Sequence, residues 1–261
     1  MADAAIEFAN VSYLLPGGRS LLRDIALRLE PGTTTALLGR SGSGKTTLLR
    51  MVNGLVRPTS GRVLVGGRDV ATQDSIALRR GIGYVIQETG LFPHMTVERN
   101  AGMALELAKG SEEQRETAKN SKSSKDQSNR VSEVLELAGL DFEQFRGRYP
   151  WQLSGGQRQR VGLARALAAD PGVLLMDEPF GALDPMTRAE MQTMLRGLLE
   201  RVGKTVLLVT HDLDEALYLA GRVVFLEAGE VVADLRTDEV LESESPNVRR
   251  YVDAVHRAVK A

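Results

Sequence analysis

A chain of 261 residues with 43% hydrophobic content can bury one large core and falls within the range of a single α/β domain with lobes. A formal net charge of −1 gives no electrostatic basis for bulk binding of nucleic acid or anionic lipid, and zero cysteines exclude disulfides, which is compatible with a reducing cytosol. No apolar run reaches the roughly 18 residues of a membrane span, and the start, Met1-Ala2-Asp3-Ala4-Ala5, lacks the basic and apolar regions of a secretory signal, so none is expected.

In chain order, about the first 80 residues alternate short strand-like runs with glycine turns at Gly32, Gly61 and Gly66-Gly67, which predicts an antiparallel sheet. Within them, the apolar run from Thr34 to Leu38 leads into Gly39-Arg40-Ser41-Gly42-Ser43-Gly44-Lys45-Thr46, a full match to GxxxxGK[ST]. A helix is predicted from Thr46 to Val52, ending near Gly54. Strand, glycine-rich loop and helix in that order make a phosphate cradle: backbone N–H groups turn onto phosphate oxygens and the helix N-terminus adds partial positive charge. Lys45 supplies a full charge for the β and γ phosphates, and the Thr46 hydroxyl suits Mg²⁺.

The run from Ile82 to Ile86 predicts a strand that delivers Gln87 at its end. From Gly90 to about Arg160 the pattern is helical, except that residues 109–130 contain no Leu, Val, Ile, Phe, Met, Trp or Tyr. That stretch cannot bury a core and reads as a solvated loop or frayed helix, a tolerated insertion in preference to a regulatory docking segment. Helical stripes resume at Val131, Val134, Leu135 and Leu137, and again at Met191, Met194, Leu195, Leu198 and Leu199.

Residues 153–157 read Leu-Ser-Gly-Gly-Gln, and Ser154, Gly155 and Gly156 open a helix through Arg158 to Ala169 whose N-terminus is a second anion-binding turn. Two such turns in one chain point to a nucleotide shared between two chains. The continuous apolar run Val173-Leu174-Leu175-Met176 fits a parallel strand covered on both faces, and it ends in Asp177 and Glu178. Asp177 faces the Mg²⁺ shell in this reading, and Glu178 polarises water for in-line attack. His211 follows another apolar run, Thr205 to Thr210, and is expected at the same sheet edge as Asp177. The tail from Pro246 to Ala261 is one helix candidate, and no second domain is expected behind it.

Phosphate loop, Gln87, LSGGQ, the strand carboxylates, Ala182-Leu183-Asp184 and His211 occur in an order and spacing that resemble the nucleotide-binding subunit of an ABC transporter, over nearly the whole chain. The resemblance implies an α/β P-loop NTPase fold: a mixed or parallel core sheet with an antiparallel β subdomain (core lobe about 1–90 and 160–261) and a helical subdomain (about 91–159). It implies ATP and Mg²⁺ as cofactors, with nucleotide contacts from residues 39–46, Thr47, Gln87, Ser154, Gly155, Gly156, Gln157 and Asp184. Thr46, Gln87 and Asp177 then serve the metal, while Glu178 and His211 are catalytic.

In that family two subunits pack head to tail, each ATP lying between one chain's phosphate loop and the other's LSGGQ. A homodimer is therefore expected, with Asp184 tying the two sites together. Membrane-spanning permease subunits are expected to dock near Gly90-Leu91-Phe92-Pro93-His94-Met95, with Phe92 and Met95 forming a groove; ordinary burial of Phe92 is an equal alternative. The family's adenine-stacking ring falls on Leu15, with Tyr13 two residues earlier, and neither is assigned.

The wording around Gln87, around Arg148-Tyr149-Pro150 and from Met176 to Pro185 resembles importers of osmoprotectant quaternary amines: glycine betaine, choline or carnitine. A solute-binding protein is then an indirect partner, and the location is peripheral, at the cytoplasmic face of the cell membrane. The chain is too short for the C-terminal regulatory modules many such subunits carry, which puts ionic-strength sensing in doubt. Amino-acid and phospholipid transporter ATPases are the nearest rivals. A DNA-maintenance ABC ATPase is the rival of another class, but it would carry a long coiled coil before LSGGQ, and none is present.

Overall fold

The computed structural model describes residues 5–87, 89–109 and 121–260. In chain order the elements are β1 (Ile6–Leu14), β2 (Ser20–Leu29), β3 (Thr34–Leu38), α1 (Lys45–Val52), β4 (Ser60–Val65), β5 (Arg68–Asp69), α2 (Ser75–Arg80) and β6 (Ile82–Val85). There follow α3 (Val97–Lys109), α4 (Ser121–Leu137), α5 (Phe142–Phe145), α6 (Gly155–Leu167), β7 (Val173–Asp177) and α7 (Pro185–Val202). The chain ends with β8 (Thr205–Thr210), α8 (Leu213–Leu219), β9 (Arg222–Glu227), β10 (Glu230–Arg236) and α9 (Pro246–Lys260). Two compact units result, one of residues 1–79 with 203–261 and one of residues 80–202.

The first unit contains the antiparallel sheet expected from the glycine-punctuated N-terminal region, in the order β2-β1-β4-β5. Alternation explains its one-sided burial: Ile6, Phe8 and Val11 of β1, and Leu22, Ile25, Leu27 and Leu29 of β2, point into the core between exposed polar neighbours. A bulge after Phe8 puts Asn10 in the left-handed region, as is Asp24 on the partner strand, and the Asn10 amide donates to the Asp24 carboxylate at 2.9 Å. Beside this sheet the strands of the same unit run β10-β9-β3-β8. β3 pairs in parallel with β8 (Leu37 opposite Val209) and with β9 (Leu37 opposite Val224), which is why its apolar run has no polar alternation. Leu38, Leu213, Phe225, Val248 and Val252 share one buried cluster that seats α8 and α9 on this sheet.

In the second unit β6 and β7 pair in parallel, with Val85 opposite Met176, so both chains leave the sheet at one end. Helix α3 packs on α4 and α6. The stripe Val131, Val134 and Leu135 is buried as its spacing predicts, as are Met191, Leu195 and Leu198 of α7. Of the polar run, read as a solvated loop or frayed helix, residues 121–130 form the first part of α4, while residues 110–120 lie outside the described residues. The Arg130 guanidinium donates to the carbonyls of Leu167 and Ala168 at the end of α6. Arg160 of α6 returns the contact to Ala138 O at the end of α4, so each helix end is capped by the other's arginine. An apolarity scan does not register such contacts between charge and orphan carbonyls.

The loop after β6 is held by Asn100, which is 0% exposed. Its amide donates to the carbonyls of Phe92, Met95 and Thr96, and its Oδ1 accepts the Phe92 N–H at 2.8 Å. Replacing Asn100 by Ala strands these buried groups, and urea unfolding is expected to show a loss of about 2–3 kcal/mol.

Candidate functional site

In the first unit, the phosphate loop starts where β3 stops. Gly39 follows Leu38 so close to β9 that a Cβ there would lie 2.3 Å from the Leu226 carbonyl oxygen, and no other residue type fits. Gly44, at φ +102, turns the chain into α1, with Leu22 of β2 packed over it. Lys45 opens the helix and is only 5% exposed; its ammonium donates to Gly39 O at 2.7 Å and Arg40 O at 3.0 Å. Ser43 is buried and its hydroxyl has no hydrogen-bond partner. An aimed ammonium, an unmatched hydroxyl and the orphan amides of a helix start together fit an added phosphate. Arg40, Ser41 and Gly42 are exposed, and Thr46 and Thr47 are half-buried on the first turn of α1. Leu38 is the register partner of Thr210, so Gly39 and exposed His211 leave neighbouring parallel strands at one end.

Tyr13 is half-buried opposite Leu22, the residue that covers Gly44, whereas Leu15 closes a turn by donating its N–H to Arg19 O. The aromatic ring is thus one strand away from the loop, a relation the spacing of residues 11–18 did not reveal.

In the second unit, Asp177 ends the fully buried strand β7 and accepts a hydrogen bond from the Tyr84 hydroxyl of β6 at 3.3 Å. Glu178 follows at φ +45, a left-handed conformation costly for a non-glycine residue, held in a turn closed by Gly181 N–H on Glu178 O at 3.2 Å. Over Gly181 two functional groups converge: the site of its missing Cβ is 3.9 Å from Glu178 Oε2 and 4.0 Å from Gln87 Nε2. Carboxylate and amide, ninety-one residues apart in the chain, meet because β6 and β7 are parallel neighbours.

The Leu-Ser-Gly-Gly-Gln turn is a reciprocal helix cap: Ser154 Oγ accepts from Gln157 N–H at 3.2 Å, while Gln157 Oε1 accepts from Ser154 N–H at 2.9 Å. Ser154 stays exposed. Gly156 is required by packing, since a Cβ there would sit 2.7 Å from Thr187 Cγ2 of α7. Asp184 caps that same helix, accepting from Thr187 N–H at 3.0 Å, and its bonds to Thr187 hold the carboxyl below its ordinary range. Leucine-rich spacing could not have flagged Arg165 of α6, whose guanidinium donates to Thr89 O at 2.6 Å and Gly90 O at 2.7 Å. Burial lowers the Arg165 pKa, and those carbonyls compensate the buried charge. Asn100 and Arg165 together shape the loop after Gln87, on which Phe92 is 40% exposed with the His94 ring at its edge. Burial of Phe92 is therefore not its role in this unit.

The profile of the ABC transporter family matches residues 22–181. The glycine betaine/carnitine/choline transport ATP-binding protein OpuCA of Bacillus subtilis is 44% identical over 91% of this chain and 59% of its own length. The glycine betaine uptake system ATP-binding protein YehX of Escherichia coli is 46% identical over 87% of this chain and 69% of its own. The chain thus spans under two thirds of several of the relatives it matches, at 57–59% of their length. Among solved structures, the dimeric post-hydrolysis state of the ATP-binding cassette MJ0796 bound to ADP and Pi superposes with a TM-score of 0.75, at 33% identity over 89% of this chain and 98% of that one. With the family profile covering more than half of its residues, and relatives alike in sequence and in fold, the chain belongs to the ABC transporter family.

Proposed function

We propose that this chain is the ATP-hydrolysing subunit of an importer, most consistent with uptake of osmoprotectant quaternary amines. The observation that carries the reading is the convergence of Glu178 and Gln87 at the strand end, in a chain whose other unit presents a buried lysine and an unmatched serine hydroxyl on a phosphate loop.

In this reading residues 39–47 bind the triphosphate. Lys45 exchanges its loop carbonyls for phosphate oxygens, and Ser43 gains the acceptor it lacks. Thr46, Gln87 and Asp177 offer hydroxyl, amide and carboxylate oxygens, a hard donor set that fits Mg²⁺. Among the described residues no cluster of three His, Asp or Glu could hold a metal alone, which fits an ion that draws most of its shell from phosphates and water. When bound, Mg²⁺ neutralises charge on the phosphates. Glu178 accepts the proton of the attacking water, His211 orients that water toward the γ-phosphate, and ADP departs. Tyr84 steadies Asp177 through its hydroxyl.

A homodimer completes each site. Exposed Ser154 with Gly155 and Gly156 at the start of α6 presents helix amides to a partner's γ-phosphate, with Gln157 fixing the turn and Asp184 beside it. The dimeric solved relative supports this arrangement. ATP-dependent pairing and its release on hydrolysis drive membrane-spanning permease subunits, which dock on the Gly90–Met95 loop through exposed Phe92 and reach a solute-binding protein indirectly. Among the described residues no helix is long and apolar enough to cross a membrane, in keeping with a peripheral subunit at the cytoplasmic face. The names of the relatives support quaternary amines as the solute class.

Glu178→Gln is expected to keep ATP binding while phosphate release falls by about 100-fold or more, and to trap an ATP-bound dimer on gel filtration; normal turnover removes Glu178 from its role. Lys45→Ala is expected to weaken nucleotide binding itself, by about 10-fold or more in a fluorescence titration, because charge-assisted contacts are lost. Ser154→Arg in one protomer of a mixed dimer should disable the site whose Lys45 belongs to the other. Damage confined to the altered chain's own nucleotide would refute sharing.

A further inference from the structure

An aromatic pair stands in water beside the Ser154 turn. Within the second unit the Tyr149 and Trp151 rings stack face to face, with centroids 4.5 Å apart and planes 13° from parallel. Tyr149 is half-buried, whereas Trp151, the one tryptophan of the chain, is 66% exposed. An indole backed by a phenol on one face leaves its other face open, and a second flat ring is the cover that suits it.

The backbone under the pair is fixed on both sides. Val97 N–H donates to Arg148 O at 2.8 Å, the Arg148 guanidinium lies 4.5 Å over the Phe145 ring, and Pro150 is buried. Gln152 closes the turn twice, its N–H donating to Tyr149 O at 2.9 Å and its Oε1 accepting the Tyr149 N–H at 2.8 Å. Leu153 is then buried, and its carbonyl accepts the Arg158 guanidinium at 2.8 Å. Trp151 is thus presented on a rigid turn, no more than about 11 Å along the chain from Ser154, so little order is lost when a ligand meets it.

A nucleotide whose γ-phosphate meets Ser154 carries its base at the far end of the same molecule, and a base seeks an aromatic face. In the unit with the phosphate loop, Phe8 and Phe225 are buried, and Tyr13 and Tyr251 are half-buried. Tyr218 is more exposed but closes α8 at the end away from His211.

We propose that Trp151, backed by Tyr149, stacks on the purine of the ATP whose phosphates a second copy of this chain holds. The inference rests on the shared-nucleotide reading given above. It makes the base, and not the triphosphate alone, a determinant of how firmly two copies pair.

The test uses the full chain carrying Glu178→Gln, which slows hydrolysis, with and without Trp151→Leu. Dimer dissociation constants are measured by sedimentation with ATP and with ribose 5-triphosphate, which keeps the phosphates and sugar but has no base. With ATP, Trp151→Leu should raise the constant about tenfold, the loss expected for one base stacked on a ring. With ribose 5-triphosphate the same substitution should change it by less than about twofold. Trp151→Phe should restore most of the ATP-dependent loss, because a ring returns. Trp151 is the only tryptophan, so the emission of the parent chain should change when ATP is added at concentrations that form the dimer, and not in the monomer. An unchanged ATP dimer in Trp151→Leu, or a loss that Phe does not restore, overturns stacking and leaves the shared site intact. Equal loss with both nucleotides also overturns it, and assigns the pair to contact between proteins. A parent chain that binds ATP but forms no dimer overturns the shared-site reading itself, and this inference falls with it.

Discussion

A buried ammonium held by the carbonyls of its own loop is the constraint around which the first unit is arranged. Lys45 has little exposure, and burying such a charge is costly unless oxygen atoms surround it. Gly39 O and Arg40 O supply them, which forces the loop to curl back on its own helix start. Glycine is then demanded at 39, where β9 leaves no space for a side chain, and at 44, where the chain reverses under Leu22. Walls of the loop therefore come from β2 and β9, the latter far from it in the chain.

The second unit is governed by a different geometry, the parallel pairing of β6 and β7. Equal register ends both strands together, so Gln87 and Glu178 meet over Gly181 while Tyr84 reaches Asp177. Helix α6 joins two further pieces to this end of the unit: its first turn touches Thr187 beside Asp184, and its Arg165 grips the loop after Gln87. Motifs that read as separate words in the chain are thus joined by one helix, and a movement of α6 acts on both the Ser154 turn and the Gly90–Met95 loop. A strained left-handed Glu178 persists because buried neighbours on either side, Asp177 and Pro179, fix the backbone around it.

Much of this was legible from residue order because local rules are strong here. The glycine spacing of the phosphate loop, the continuous apolar runs of β3, β7 and β8, and the reciprocal cap at Ser154 and Gln157 each follow from chemistry within a few residues. Residues 121–130 were less legible, read as a solvated loop or frayed helix where a helix forms. Their helix is anchored by Arg130 on carbonyls thirty-seven and thirty-eight positions away, and hydrophobic periodicity carries no trace of such a contact. Asn100, Tyr84 and Arg165 escaped on the same ground: each is an unremarkable residue type whose importance lies in the buried partner it meets.

The chain's own order of residues determined that a phosphate loop, a capped anion-binding turn and a pair of strand-end carboxylates exist, since each is encoded by short-range backbone and side-chain preferences. Tertiary structure decided that Gln87 and Glu178 meet over Gly181, that Phe92 stays exposed, and that Leu226 O closes on Gly39. Those outcomes depend on strand register and on close approach between distant segments, and both are settled only when burial of the whole core selects one arrangement.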